Sequence, residues 1–219
     1  MSSAPVAHTE EKTNLAAFDF DGTLIDAHCC TRFLLRYFGL FRYSRALIAA
    51  SAAELFRIRQ RDAIKLGLLH RLLRGVDAER FDAMGRDFSE WILERIDARA
   101  LAAVRKHQAA EHAVIIVSAS LAVYIDYVAA ALDLHTVYAM RMQARKQQLT
   151  GFVDGGVNMT QNNKVTAIRS WIADSGLDRS SVQIWAYGDS SGDFAMLAYA
   201  DRPFLVSLHQ NEWLTEFVK

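Results

Sequence analysis

The sequence predicts an α/β protein, a parallel sheet flanked by helices with an all-helical cap inserted after the first strand. Three observations carry this. Short apolar runs, "LAAFDF" (15–20), "AVIIVS" (113–118), "VQIWAY" (182–187) and "RPFLVS" (202–207), have the length and composition of buried strands. In the C-terminal half these runs alternate with segments whose apolar residues fall three and four apart, the pattern of a sheet covered on both faces. Between the first run and the second lies a stretch of helical periodicity, about 27–110, too long for a simple crossover.

In chain order, residues 1–13 read as a flexible lead-in, and 15–20 as the first buried strand. "TRFLLRYFGLF", "YSRALIAASAAELF", "RDAIKLGLLHRLLRG" and "AERFDAMGRDFSEWILERI" each have helical spacing, with Gly75 a plausible C-cap. The strand at 113–118 leads into a helix at about 120–133. "HTVYAMRM" reads as a strand, "ARKQQLTGFVDGG" as a hairpin, "NNKVTAIRSWIADSG" as a helix and "SSGDFAMLAYA" as the last helix, ahead of the strand at 202–207. The expected division is a core of 14–26 and 100–219, with a helical cap of 27–99.

With 219 residues and 52% apolar content, the chain can bury one sizeable core or a core with a satellite domain. Lys and Arg number 25 against 25 Asp and Glu, so the whole-chain charge gives no support to a nucleic-acid partner. The only cysteines, Cys29 and Cys30, are adjacent. That spacing disfavours a framework disulfide, fits a reducing compartment, and reads as two small buried hydrophobes. No apolar run is long enough to span a bilayer, and the N-terminus has no secretory pattern, so the expectation is a soluble cytoplasmic protein.

The chemistry begins at "AAFDFDGTLID" (16–26), where Asp19 and Asp21 follow the first strand and Gly22 follows them. In a parallel sheet, ligands bind beyond the carboxyl ends of the strands. Ser118 ends the second such run, Gly188 and Asp189 end the third, and Lys164 opens a helix after a polar loop. Asp193, four residues beyond Asp189, can face the same side of a helix start. A carboxylate nucleophile can attack phosphorus, a second carboxyl can trade protons with the leaving oxygen and with water, and further carboxylates can hold Mg²⁺. Asp-x-Asp-Gly also opens some calcium loops, but here the apolar "TLI" follows in place of further ligands.

Taken jointly, "DFDGT", "VIIVSAS", Lys164 in "QNNK" and "YGDSSGD" resemble the four motifs of the haloacid dehalogenase superfamily, from about residue 15 to 207. The resemblance implies a Rossmann-like core and a Mg²⁺-dependent phosphatase. Asp19 would be the nucleophile and Asp21 the general acid and base. Mg²⁺ would be held by Asp19, the backbone carbonyl of Asp21 and Asp189, with Asp193 supporting. Ser118 and Lys164 would bind the phosphoryl group, together with Phe20, Gly22, Thr23 and Ala119. Family dehalogenases generally lack a carboxylate at the position of Asp21, so its presence favours phosphate chemistry. The large insert directly after the first motif is similar to that of subfamily IB, which includes the phosphoserine phosphatases.

Two departures bear on substrate. Phosphoserine phosphatases carry a glutamate where this chain has His28, and an asparagine where it has Gly192, so a small phosphorylated metabolite other than phosphoserine is expected. His28 stands as either a substrate contact or a packed histidine. Between residues 32 and 75, ten Lys and Arg face only Glu54 and Asp62, a net of +8, interleaved with Phe33, Leu34, Leu35, Phe38, Leu47, Ile48, Leu55 and Phe56. That pattern fits a solvated basic face, recognition of a multiply anionic substrate, or docking on anionic lipid to reach a lipid phosphate such as phosphatidylglycerophosphate. Transfer of the phosphoryl group to an alcohol, and binding of a phosphorylated ligand without turnover, are the other readings the pattern leaves open.

Overall fold

The computed structural model describes residues 12–53, 60–134, 136–156 and 158–218. Residues 1–11 of the lead-in lie outside them. So do Glu54, Leu55, Phe56, Arg57 and Arg59 of the basic stretch, and the side chain of Arg61.

Strand β1 (Thr13–Phe18) pairs in parallel with β2 (Ala113–Leu121) on one side and β6 (Val182–Gly188) on the other. Thr13 is in register with Val182, so the strand starts one residue inside the stretch read as lead-in. It also ends two residues earlier than expected. The carbonyl of Phe20 accepts from the backbone N–H groups of Thr23, Leu24 and Ile25, which turns the chain out of the sheet. Outward from β2 lies β3 (Thr136–Met140), and outward from β6 lie β7 (Arg202–Val206) and β8 (Leu214–Glu216), giving the order β3-β2-β1-β6-β7-β8. All pairs are parallel except β7 with β8.

Side chains alternate across this sheet with period two. Ala16 and Phe18 of β1, with Val114 and Ile116 of β2, join the larger core beneath the inserted helices. Leu15 and Ala17, with Ile115 and Val117, join the opposite core formed with α6 (Asn162–Asp174) and α7 (Phe194–Tyr199). With both faces buried, these strands read as continuous apolar runs, which is why they are visible in the sequence.

The inserted helices are α1 (Cys29–Ala53), α2 (Gln60–Leu73) and α3 (Ala78–Leu93); α4 (Ala98–Ala109) leads back to the sheet. Gly39, at φ 73° and ψ 159°, breaks α1 into the two helices that the spacing predicts. Phe81, Met84, Phe88 and Ile92 form the buried stripe of α3, and Asp77 caps it by accepting from the N–H of Arg80 at 2.9 Å. Helix α3 crosses α5 (Ala122–Ala131) at Gly85, where a Cβ would stand 2.3 Å from the carbonyl oxygen of Val123. The insertion enters and leaves the core side by side: Ile25 bridges Ile96, and the N–H of Asp97 donates to the carbonyl of Leu24 at 2.9 Å.

The stretch read as one strand over "HTVYAMRM" is two. Arg141 interrupts it and pairs with Asp126 of α5 at 2.6 Å, and the chain leaves the sheet to form β4 (Met142–Arg145). Strand β4 makes the expected antiparallel hairpin with β5 (Gln148–Val153). This hairpin leans on the insertion rather than the sheet, through N–H bonds from Gly75 to the carbonyl of Leu149 and from Leu149 to that of Val76, both 2.8 Å. Among the described residues, no helix is long and apolar enough to cross a membrane.

His107 of α4 is buried, with Nε2 2.9 Å from the Tyr187 hydroxyl and Nδ1 2.7 Å from His112 Nδ1. Burial and the neighbouring His112 push its pKa from 6.5 down to about 4. The fold therefore favours the neutral ring. The stability this contributes is complete above pH about 6.5 and is lost as pH falls toward about 4. Urea unfolding at pH 7.5 and pH 4.5 should show a smaller acid-induced loss for His107→Gln than for the wild type; equal losses would contradict this assignment.

Candidate active site

Parallel pairing brings the key residues together. The N–H of Asp19 donates to the carbonyl of Tyr187 at 2.9 Å, extending the β1–β6 ladder by one bond, so Asp19 and Asp189 leave neighbouring strands at the same edge. Ser118 stands on β2 at that edge. Lys164, in the first turn of α6, enters from the opposite face of the sheet. Its helix is tied in place by the N–H of Gln161, which donates to the carbonyl of Gly192 at 2.7 Å.

The Lys164 side chain is 2% exposed, and its ammonium is buried with it. It donates to Asp19 Oδ1 and, at 2.5 Å, to Asp193 Oδ1. The other Asp193 oxygen accepts from the N–H and hydroxyl of Ser190, at 3.0 and 2.9 Å. Asp193 makes no side-chain cap to α7, so its carboxylate serves the site rather than the helix end. Thr23 donates its hydroxyl to Asp19 Oδ2 at 3.5 Å. Two glycines permit the close packing. A Cβ on Gly22, at φ +82°, would stand 2.3 Å from Asp189 Oδ2, and one on Gly188 would stand 2.5 Å from the Cβ of Asp193.

Asp21 belongs to a different environment. Its Oδ2 accepts from the Ser120 hydroxyl at 2.7 Å and from the N–H of Cys29, at the start of α1, at 3.1 Å. Its Oδ1 is buried with no hydrogen-bond partner among the described residues. Burial raises the Asp21 pKa, with Ser120 and Cys29 opposing. Burial also pushes Asp19 well above the usual carboxylate range, opposed by Lys164 and reinforced by Asp193. Asp189 rises to about 6 through partial burial and the charge of Asp193. For Lys164, burial would favour the neutral amine, but Asp19 and Asp193 outweigh it and keep the ammonium charged.

One oxygen from each of Asp19, Asp189 and Asp193 lies within 4.8 Å of the others. Three carboxylates against one ammonium give a formal net charge of −2 when all are ionised. An all-oxygen donor set with that excess charge fits a hard divalent cation. The carboxylate of Asp21 lies outside this trio.

Asp19, Asp21, His28, Ser118, Ala119, Lys164, Asp189 and Asp193 all line one cavity of about 170 Å³. Three residues of the expected set stand elsewhere. Phe20 has its ring fully buried in the core, and only its backbone shapes the turn. Gly22 backs Asp189, and Thr23 reaches the site only through its hydroxyl. His28 is exposed between this cavity and a larger cleft of about 730 Å³, so it is not a packed core histidine. Two further residues, Ser120 and Lys65, belong to the site without being evident in the sequence. Ser120 holds Asp21, and Lys65 of α2 donates to the carbonyl of Ala119 at 2.7 Å. The signal for Ser120 is its place in "SAS"; Lys65 is hidden among the other basic residues of the insert.

Residues 16–198 match the haloacid dehalogenase-like hydrolase family, and the chain belongs to it. It is 31% identical to protein CicA of Caulobacter vibrioides over 198 residues, 85% of this chain and 83% of CicA. Its fold is similar to that of a protein of unknown function from Bordetella pertussis Tohama I, with TM-score 0.73, 23% identity, and coverage of 89% of this chain and 90% of that one. It is also similar in fold to a phosphoserine phosphatase solved as a phospho-aspartyl intermediate analogue, with TM-score 0.59, 18% identity, and coverage of 90% and 86%. The chain is thus a hydrolase of this family with the phosphoserine phosphatase fold.

Gly22→Ala should lower stability by about 2–3 kcal/mol in urea unfolding, since a left-handed backbone and a clash with Asp189 combine there. Gly155→Ala, also at positive φ but with no described atom within 4 Å of the added carbon, should cost only about 1–2 kcal/mol. Equal costs at the two sites would argue against the close packing of Gly22 on Asp189.

Proposed function

We propose that this protein is a Mg²⁺-dependent phosphomonoesterase that works through an aspartyl-phosphate on a small phosphorylated metabolite. One observation carries the reading: two carboxylates two residues apart are held in unlike environments. Asp19 is bound to a buried ammonium beside two further carboxylates, and Asp21 is pinned between a hydroxyl and a helix N–H. A phosphoserine phosphatase of similar fold has been solved as a phospho-aspartyl intermediate analogue, which supports the same chemistry for this chain.

Mg²⁺ bound by Asp19, Asp189 and the backbone carbonyl of Asp21, with Asp193 supporting, would offset charge on the phosphoryl oxygens. In the first displacement, an Asp19 carboxylate oxygen bonds to phosphorus as the ester oxygen leaves. Asp21, whose proton affinity burial raises, gives its proton to that oxygen. In the second, the Asp21 carboxylate takes a proton from water, whose oxygen bonds to phosphorus and frees Asp19 with inorganic phosphate. Lys164 and Ser118 orient the phosphoryl group, and Lys164 offsets the charge that develops on it. His28, in place of the glutamate of phosphoserine phosphatases, points away from phosphoserine as the substrate.

Asp19→Asn should reduce hydrolysis of p-nitrophenyl phosphate to background while circular dichroism stays unchanged. Asp21→Asn should reduce it by about 10²–10⁴-fold, and EDTA should abolish it until Mg²⁺ is restored. Undiminished turnover in Asp19→Asn would overturn the assignment.

A second reading, action on an anionic lipid phosphate, is favoured by one surface of α1. Leu40, Phe41 and Ile48 are about 70% exposed, and Arg45 lies over the Phe41 ring at 5.5 Å. Helix α1 itself contains no acidic residue, and of its arginines Arg36 pairs with Asp87 of α3 at 2.9 Å. Sedimentation with phosphatidylglycerol vesicles should show binding that weakens at high salt and falls in Phe41→Asp. No sedimentation at low salt would remove this reading.

A further inference from the structure

On the other side of the sheet from α6 and α7, helix α4 runs beside β6, β7 and β8 without filling the space over them. The residues it turns to that space include Ala102 and Ala103, with Ala110 just past its end. Side chains this short leave a cavity of about 640 Å³ against the aromatic residues of the sheet. That volume is in the range of small-molecule sites.

The wall is built of rings. Tyr187 stacks on Phe204 at 5.1 Å and 14°, and the imidazole of His112 lies against Trp185 at 4.8 Å. Trp213 closes the far side beneath the guanidinium of Arg99, 5.8 Å away. The polar groups reaching this wall are the chain His112–His107–Tyr187, joined at 2.7 and 2.9 Å. With His107 bonded through both nitrogens and His112 through Nδ1, His112 Nε2 has no hydrogen-bond partner among the described residues and can meet a ligand. Arg99 and Lys106, both on α4, supply positive charge at the rim, and among the described residues no acidic side chain lines the cavity. Arg99 is already engaged with Asp97 and with the carbonyls of Leu208 and Gln210. Lys106 is therefore the cation placed to meet a ligand.

From this charge and shape we propose that the cavity is a second ligand site, separate from the candidate active site, that takes a planar aromatic carboxylate. The ring lies between Trp185, Trp213 and Phe204 in stacked or edge-on contact, and the carboxylate faces Lys106 and His112. The inner wall, Tyr187, also stacks on Phe18 at 4.3 Å and 3°, and Phe18 directly precedes Asp19. A ligand here thus lies one ring, Tyr187, away from the strand that leads to the candidate nucleophile.

The test uses the full chain and two probes, 2-naphthoate and its uncharged counterpart 2-naphthalenemethanol, followed by titration calorimetry and tryptophan fluorescence. The expected result is one naphthoate per chain, binding in or below the millimolar range. Lys106→Glu should weaken naphthoate by roughly tenfold and change the alcohol by less than about twofold. Ala103→Leu, which fills the cavity from the helix side, should remove binding of both probes, with thermal melting confirming that the variant is folded. Three outcomes would overturn the proposal: no naphthoate binding at millimolar concentration, binding that survives both substitutions, or a dimer in solution that buries this face and is not displaced by naphthoate.

Discussion

The buried ammonium of Lys164 is the interaction on which the site depends. Taking a lysine out of water costs several kcal/mol, and the charge persists only because two carboxylates receive it. Those carboxylates come from different parts of the fold, one past the end of β1 and one in the loop before α7, so Lys164 joins three segments that share little sequence proximity. Gln161, at φ 49°, and its bond to the carbonyl of Gly192 hold α6 at the depth this contact requires. Even so, one positive charge faces three negative ones. Burial raises the pKa values of Asp19 and Asp189, the charge of Asp193 adds to it, and a divalent cation would relieve that repulsion directly.

The difference between Asp19 and Asp21 follows from where the chain goes next. Asp19 still belongs to the sheet through its bond to Tyr187, which aims it at Lys164. Asp21 has left the sheet, and its partners are Ser120 from the end of β2 and the first turn of α1. Because the N–H of Cys29 is one of those partners, the start of the insertion is fixed to the carboxyl that would move the proton. Two like residues, separated by a single phenylalanine, thus acquire unlike hydrogen-bond partners from unlike surroundings. The ring of that phenylalanine is itself packed away in the core.

Much of this is legible in the sequence because burial on both faces gives strands an unmistakable composition. β1, β2 and β6 can be read within a few residues of their ends, and the polar residues at those ends include most of the side chains that line the cavity. What escapes is set by tertiary contacts. The break between β3 and β4 falls at Arg141, which meets Asp126, fifteen residues away. β8 is a three-residue edge strand with one exposed face, too short for alternation to announce it. Ser120 cannot be told from Ser118 by composition, since only the turn of the chain decides which hydroxyl meets Asp21. Lys65 looks like one solvated lysine among ten basic residues until α2 is placed over Ala119.

That placement also governs access to the cavity. The beginning of α2 is attached on two sides. Lys65 reaches the end of β2 at Ala119, and Asp62 accepts from Asn158 at 2.7 Å and from Thr160 at 3.4 Å in the loop before α6. These three bonds span the region above Asp21 and Lys164, whereas the β4–β5 hairpin grips the other end of α2 through backbone pairing near Gly75 and Leu149. Single side-chain bonds, two of them part-buried, open more readily than a paired backbone. The insertion is therefore held firmly at the hairpin and by Ile25 and Ile96, and loosely where it covers the chemistry. Under the proposed function, a phosphoryl compound in the cavity would compete with the Ala119 carbonyl for Lys65.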